Sequence, residues 1–236
     1  MKTNYGNFAD RYQFYTSDDN LNDPELRLGR MPALAALGDT QGKTVLDFGC
    51  GPATNSPRLL DAGARVIGLD VDPIVIEKAR QVDPRSDYWV WQGLLVKKLG
   101  WIPIDCILMS FSFCVIPDRE IRYILRDMRA ILHKGGKLVI VEPNQEKAHG
   151  IRYTSLHYHK KEGVRTGDFV DVTLGSGENA ILLTDDIYRR HDDYRRLLEE
   201  AGFTIERMEE PLPPKDWGEG RELLEKYPPF VLIVAI

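Results

Sequence analysis

The stretch Val45–Ala53, VLDFGCGPA, constrains the fold of this chain more than any other. An apolar run stops at two glycines that bracket a cysteine, and one acid, Asp47, interrupts the run just before the turn. A buried strand entering a glycine turn and then a helix opens many α/β folds. Glycine lets the backbone take conformations closed to other residues and come close to a ligand. The rest of the chain should therefore alternate strand and helix, and it does.

Thr44–Phe48 predicts a first buried strand, 54–62 a helix closed by Gly63, and Arg65–Leu69 a second strand. Pro73–Gln81 reads as a helix with proline at an early position. Tyr88–Trp91 and Ile104–Met109 read as strands, the second an unbroken apolar run suited to burial on both faces. In Asp118–Leu132 the apolar residues Ile121, Ile124, Leu125, Met128 and Leu132 recur near the helical period. An HKGG turn follows, then Lys137–Glu142 as a fifth strand. Such alternation predicts a mainly parallel sheet with helices on both faces. The pattern then changes. Phe169–Leu174 and Ala180–Thr184 flank a GSGE turn and predict a small antiparallel hairpin. Asp192–Ala201 reads as a helix, and Phe203–Met208 and Phe230–Ile236 as two late strands around a proline-rich, charged segment.

The 236 residues, 43% apolar and 28% charged, are enough to build a core without disulfides or metal. A net charge of -5, with no basic patch interleaved with aromatics, argues against a nucleic-acid partner. The three cysteines, Cys50, Cys106 and Cys114, have no CxxC spacing and fit a reducing compartment. The opening stretch MKTNYGNFADRYQFY lacks the apolar segment of a signal peptide, and no run is long enough to span a bilayer. A cytoplasmic protein that does not enter membranes is expected.

The glycine turn does not spell the dinucleotide fingerprint GxGxxG, because Thr54 stands where the third glycine belongs. A carboxylate leading into the turn suits a ligand with a cationic end better than a diphosphate. A second acid, Asp70 in VIGLDVD, follows about twenty residues on, the spacing at which an acid accepts hydrogen bonds from ribose hydroxyls. A ligand with a ribose, a cationic amino group and no phosphate meets both requirements: S-adenosylmethionine.

VLDFGCGPA, GLDVD, PIDCILMSFSFCVIPD and LHKGGKLVIVEPN, in this order, resemble the successive motifs of the class I S-adenosylmethionine-dependent methyltransferases. YRRLLEEAGFTIERMEEP and PPFVLIVAI resemble the family's last helix and antiparallel hairpin. The resemblance implies an α/β, Rossmann-like, doubly wound and mostly parallel seven-stranded sheet. It has a C-terminal antiparallel hairpin, helices on both faces and a small lid or insertion after strand 5. One domain would span 1–236, with lid helices in 1–40, the cofactor core in 41–143, a substrate-cap insertion in 144–188, and the last helix and strands in 189–236. S-adenosyl-L-methionine would be the cofactor and S-adenosyl-L-homocysteine its product. The partner would be a small-molecule methyl acceptor, with no nucleic acid or membrane, and the chain would be a monomer or homodimer.

Matched position by position, the resemblance implies that Asp47, Gly49, Cys50 and Gly51 hold the methionine portion of the cofactor. Asp70 would hold the ribose, and Val71 would lie against the adenine. Gly93 matches the glycine after the third strand, and Leu94 stands where the family commonly has an aspartate. Ser110 and Phe111 match the strand end whose carbonyl faces the cofactor's amino group. Ala53 replaces a family glycine. Tyr12, in ADRYQFY, would face the methionine end from the N-terminal lid, with Tyr15 beside the acceptor. Phe113, Glu142 and Tyr158 are the other candidate acceptor-binding residues.

Methyl transfer asks mainly that the acceptor be placed in line with the methyl group, with at most one base. Candidate bases are His157 and His159 of LHYHKK, and His191, which precedes the last helix. The HxH pair lacks a third ligand at metal spacing, so no metal is expected. An O or N acceptor on a small molecule is the expected substrate. The alternatives are a non-catalytic binder of the same fold and a nicotinamide-dependent oxidoreductase.

Overall fold

A computed structural model describes residues 23–236. The expectations for Tyr12 and Tyr15 lie outside the described residues.

The chain enters through a π-helical turn, Glu25–Arg30, that runs into helix α1 (Met31–Leu37). Strand β1 (Thr44–Phe48), helix α2 (Ser56–Asp61), β2 (Arg65–Asp70), α3 (Pro73–Val82) and β3 (Asp87–Val90) follow in right alternation. The carboxylate of Asp72 accepts the amide of Ile74 at 2.8 Å and caps α3, whose first residue is Pro73. Next come α4 (Leu95–Leu99), β4 (Ile104–Ser110), α5 (Asp118–Ile131), β5 (Leu132–Pro143) and a short α6 (Gln145–Ala148). Beyond it lie β6 (Leu156–Tyr158), β7 (Phe169–Leu174), β8 (Ile181–Ile187), α7 (His191–Glu200), β9 (Ile205–Glu209), α8 (Arg221–Lys226) and β10 (Phe230–Ala235).

Seven strands form one sheet in the order β3-β2-β1-β4-β5-β10-β9. β1 is parallel to β2 and β4, β4 is parallel to β5, and β10 runs antiparallel to both of its neighbours, β5 and β9. Alternate residues of each central strand feed two cores. Ile107 and Met109 pack with Ile121, Leu125 and Met128 of α5 and with Tyr194 and Leu197 of α7. Cys106 and Leu108 pack with Leu37 of α1, Leu59 of α2 and the small sheet. The fold class and the late antiparallel pair agree with expectation.

Three local readings need correction. β5 begins at Leu132, not Lys137. The HKGG turn survives as an irregularity inside that strand, because Ile104 pairs with Leu132 and Cys106 already pairs with Lys137. The expected hairpin is a three-stranded antiparallel sheet, with β6 added against β7. The proline-rich segment before β10 carries helix α8.

Strand order reverses between β1 and β4. In an open α/β sheet, the crevice beyond the carboxyl ends of the strands at such a switch point is where ligands bind.

Candidate functional site

The glycine turn leaves β1 at that switch point. Gly49 has φ +73, and a Cβ there would stand 2.5 Å from the Cβ of Ser112, so the turn can press against the loop after β4 only with glycine. Gly51 follows with φ +55, and Ala53 with φ +64, a conformation that favours the glycine it replaces.

Asp47 is wholly buried beneath the turn. Ser56 Oγ donates to its Oδ2 at 3.3 Å, and Oδ1 has no hydrogen-bond partner among the described residues. Desolvation pushes its carboxyl up to about 7; the Ser56 bond opposes this and the charge of Asp70 adds to it. Asp70, at the end of β2, accepts the amide of Gly51 at 3.2 Å and that of Asp72 at 3.0 Å. It thereby ties the glycine turn to the start of α3, and burial raises its pKa as well.

Other buried polar atoms here have no partner among the described residues: Thr54 Oγ1, Asn55 Oδ1, Trp91 Nε1 and Ser110 Oγ. Buried polar groups are rarely left unbonded. Two acids with orphaned donors and acceptors around a glycine turn fit a polar ligand bearing a positive charge. The side of Gly93, with φ +91, is open, and Leu94 beside it is 48% exposed. Val71 is half-buried at the end of β2.

The structure revises several sequence expectations. Cys50 turns its thiol away from the turn into a small core with Ala53, Ile76, Ala79 and Tyr88, where burial pushes its pKa well up. Only its backbone belongs to the cradle. Phe113 is also a core residue, edge-on to Tyr194 at 5.2 Å, and presents no face to an acceptor. Glu142 spends its carboxylate on backbone: Oε1 accepts the amides of Ser112 and Phe113 at 3.1 and 2.8 Å, and Oε2 that of Cys114 at 2.8 Å. It shapes the loop after β4. Burial raises its pKa to about 7 against those three bonds.

Phe111 follows β4 with φ +55, which is costly for an aromatic residue. Its ring is edge-on to Phe230 at 5.1 Å and fills the space that Gly29 leaves by having no side chain. This docks the π-helical turn over the mouth of the sheet.

Tyr158 lies on the inner face of the small sheet and donates its hydroxyl to the Pro229 carbonyl at 3.0 Å. His157 and His159 do not join it. Side chains alternate along a strand; with Leu156 and Tyr158 inward, His157 turns to the outer face beside its partner Thr173. His159 Nε2 meets Thr173 Oγ1 at 2.8 Å, and the two imidazoles lie with centroids 3.9 Å apart, tilted by 39°. They point away from the crevice. His191 starts α7, with Nε2 3.1 Å from Asn144 Oδ1 and its amide bonded to Glu146. It stands beyond the end of β5 as part of a polar cluster that includes Glu210.

Sequence reasoning missed a cavity between the small sheet and the mouth of the main sheet. It is lined by Glu25, Phe111, Cys114, Pro143, Tyr158, Asp186 and Phe230, with Leu156, Val172, Leu174 and Leu183. The acid in ILLTDDI was the one available signal for it.

A family model described as a methyltransferase domain matches residues 24–207. The N-demethylindolmycin N-methyltransferase of Streptomyces griseus is 28% identical over 195 residues, covering 79% of this chain and 81% of that protein. A demethylmenaquinone methyltransferase of Tropheryma whipplei is 32% identical over 118 residues, about half of each chain (48% and 47%). The structure of the CcbJ methyltransferase from Streptomyces caelestis superposes with a TM-score of 0.66 at 19% identity, covering 99% of this chain and 97% of that one. Family model, sheet order and glycine-turn cradle agree, and the chain belongs to the class I S-adenosylmethionine-dependent methyltransferase family.

Proposed function

We propose that this chain transfers a methyl group from S-adenosylmethionine to an O or N atom of a small molecule. The observation that carries this reading is the buried Oδ1 of Asp47, without a hydrogen-bond partner among the described residues, under a glycine turn that Asp70 braces. Asp47, Gly49 and Gly51 would receive the amino-acid end of the cofactor, Asp70 the ribose hydroxyls, and Val71 and Leu94 the faces of the adenine. Gly93 would leave room for the ring, and the backbone of Ser110 and Phe111 would meet the amino group.

The bound cofactor supplies a methyl group already activated by its positive sulfonium. What the chain must add is placement, exclusion of water and an outlet for one proton. The loop after β4, held by Glu142, together with Phe111, would form the wall between cofactor and acceptor. A small-molecule acceptor is supported by the Streptomyces griseus relative, an N-demethylindolmycin N-methyltransferase, and by the cavity under the small sheet.

Calorimetric titration with S-adenosylhomocysteine, with NADH in parallel, tests the reading. Saturable binding of the first alone is expected. Binding of NADH instead would point to an oxidoreductase, and binding of neither would remove the proposal.

A further inference from the structure

One buried acid has no role in the cofactor cradle. Asp186 is 2% exposed, lines the cavity under the small sheet, and its Oδ1 has no hydrogen-bond partner among the described residues. It reaches that position through a break in the strand pattern. Leu183 faces inward, so strict alternation would turn Asp185 inward next. Between β7 and β8 the register shifts: Val172 pairs with Leu183 but Val170 with Asp186. The irregularity brings Asp186 to the inner face, as β-bulges beside active sites re-aim side chains.

A buried carboxylate with an unbonded oxygen is costly, and no cationic side chain among the described residues lines this cavity. The buried guanidinium whose charge reaches Asp186, that of Arg189, is committed elsewhere. It bonds Asp118 at 2.9 and 3.0 Å and the carbonyls of Phe113 and Ile116 at 2.9 and 2.6 Å. The opposite wall adds a second acid, Glu25, paired with Arg30 at 3.6 Å. The remaining walls are mostly apolar and aromatic. The free space is about 30 Å³, room for one amine head. Behind the edge-on pair Tyr153 and Tyr158 lies a wider cavity of about 220 Å³, lined by Pro24, Tyr153, Trp217 and Leu223.

We propose that Asp186 binds the methyl acceptor, that the acceptor is an amine carried on an apolar or aromatic body, and that Asp186 takes its proton. This rests on the methyltransferase reading above. As the nitrogen–carbon bond forms, the sulfur–carbon bond breaks and its electron pair stays on sulfur. The proton that leaves the bound ammonium before the nitrogen–carbon bond forms, freeing the nitrogen lone pair, passes to the Asp186 carboxylate and then to solvent. Phe111 and Cys114 place this cavity just beyond β4, beside the strand end whose backbone would meet the cofactor's amino group.

The test uses the protein saturated with S-adenosylhomocysteine and three probes of one shape: tryptamine, tryptophol and indole-3-propionate. Calorimetry should give tightest binding for the amine, at least tenfold weaker binding for the alcohol, and none for the acid. Asp186→Asn should weaken tryptamine at least tenfold while S-adenosylhomocysteine affinity stays within twofold; His159→Ala should change neither. With labelled S-adenosylmethionine, methyl transfer to tryptamine or N-methyltryptamine should fall at least a hundredfold in Asp186→Asn. The pH profile of tryptamine binding should follow Asp186 in a field set by Glu142, Asp185, Glu25 and Arg189. Preference for the acid, no binding of any probe, or tryptamine binding unchanged in Asp186→Asn overturns the proposal. Loss of S-adenosylhomocysteine binding by the unmodified protein overturns the broader reading instead. The probe series on the unmodified protein decides the matter even should the variant fold poorly.

Discussion

Asp47 is the residue whose chemistry is most open to measurement. Its carboxyl sits near 7 without ligand because burial penalises the charged form. A ligand ammonium would pair with the carboxylate, so binding must expel a proton wherever Asp47 starts protonated. S-adenosylhomocysteine affinity should therefore fall on acidification below pH 7, by up to about tenfold per pH unit, and level off above it. Titrations at pH 5.5, 6.5 and 8 check the slope, which Asp47→Asn should abolish. Asp70→Ala removes charge-assisted bonds, each worth about 1.5–3 kcal/mol, and should weaken the same ligand tenfold or more. Unchanged affinity would show that the ribose lies elsewhere. Glu142→Ala differs in kind: it strands three backbone amides, each costing roughly 1–3 kcal/mol unless water reaches it, and should lower Tm before it affects binding.

The elements were legible in the sequence where their signal is local. β1, β2, α3 and α5 sit within a residue or two of the expected bounds, because strand hydrophobicity, an Asx cap before Pro73 and a helical stripe are written in adjacent residues. β6 was not legible. It is three residues long, and tertiary pairing with β7 creates it. The proposed cofactor cradle was readable because its parts lie at the ends of successive strands. The cavity under the small sheet was not, because Glu25, Phe111 and Asp186 meet only through the docking of the π-helical turn and the small sheet. Gly29 tests that docking. A Cβ there would stand 2.6 Å from Phe111 Cζ, so Gly29→Ala must displace a ring already held in a strained backbone. Overpacking of this kind costs about 1–3 kcal/mol, and thermal unfolding should register it. An unchanged Tm would mean that Phe111 swings aside freely.

At the scale of the whole molecule, the same buried acids set an unusual pH dependence. Asp47 and Glu142 sit near 7 and Asp186 near 8 in the folded chain, each raised chiefly by desolvation. Unfolded carboxyls titrate near 4. Between about pH 4 and 8 the native state thus holds protons that the unfolded state has lost. Stability must fall as pH rises through that window. Asp83 and Asp193 are shifted downward, so their contribution is lost only on acidification below the usual carboxylate range and does not offset the trend. His157 is shifted downward too and opposes the trend near pH 6.5, but its imidazole is partly solvated and its share is small. A net loss of 2–3 kcal/mol would lower Tm by roughly 5–10 °C in a chain of this size. Thermal scans of the ligand-free protein at pH 5.5 and 8.5 should show that drop. Asp186→Asn should reduce it, because the amide carries no proton to lose. Saturating S-adenosylhomocysteine should reduce it as well, because an ammonium beside Asp47 makes the charged carboxylate the favoured form. A Tm that instead climbs from pH 5.5 to 8.5 would mean that these acids are already ionised and solvated in the free protein, and that the crevice is open to water before any ligand arrives.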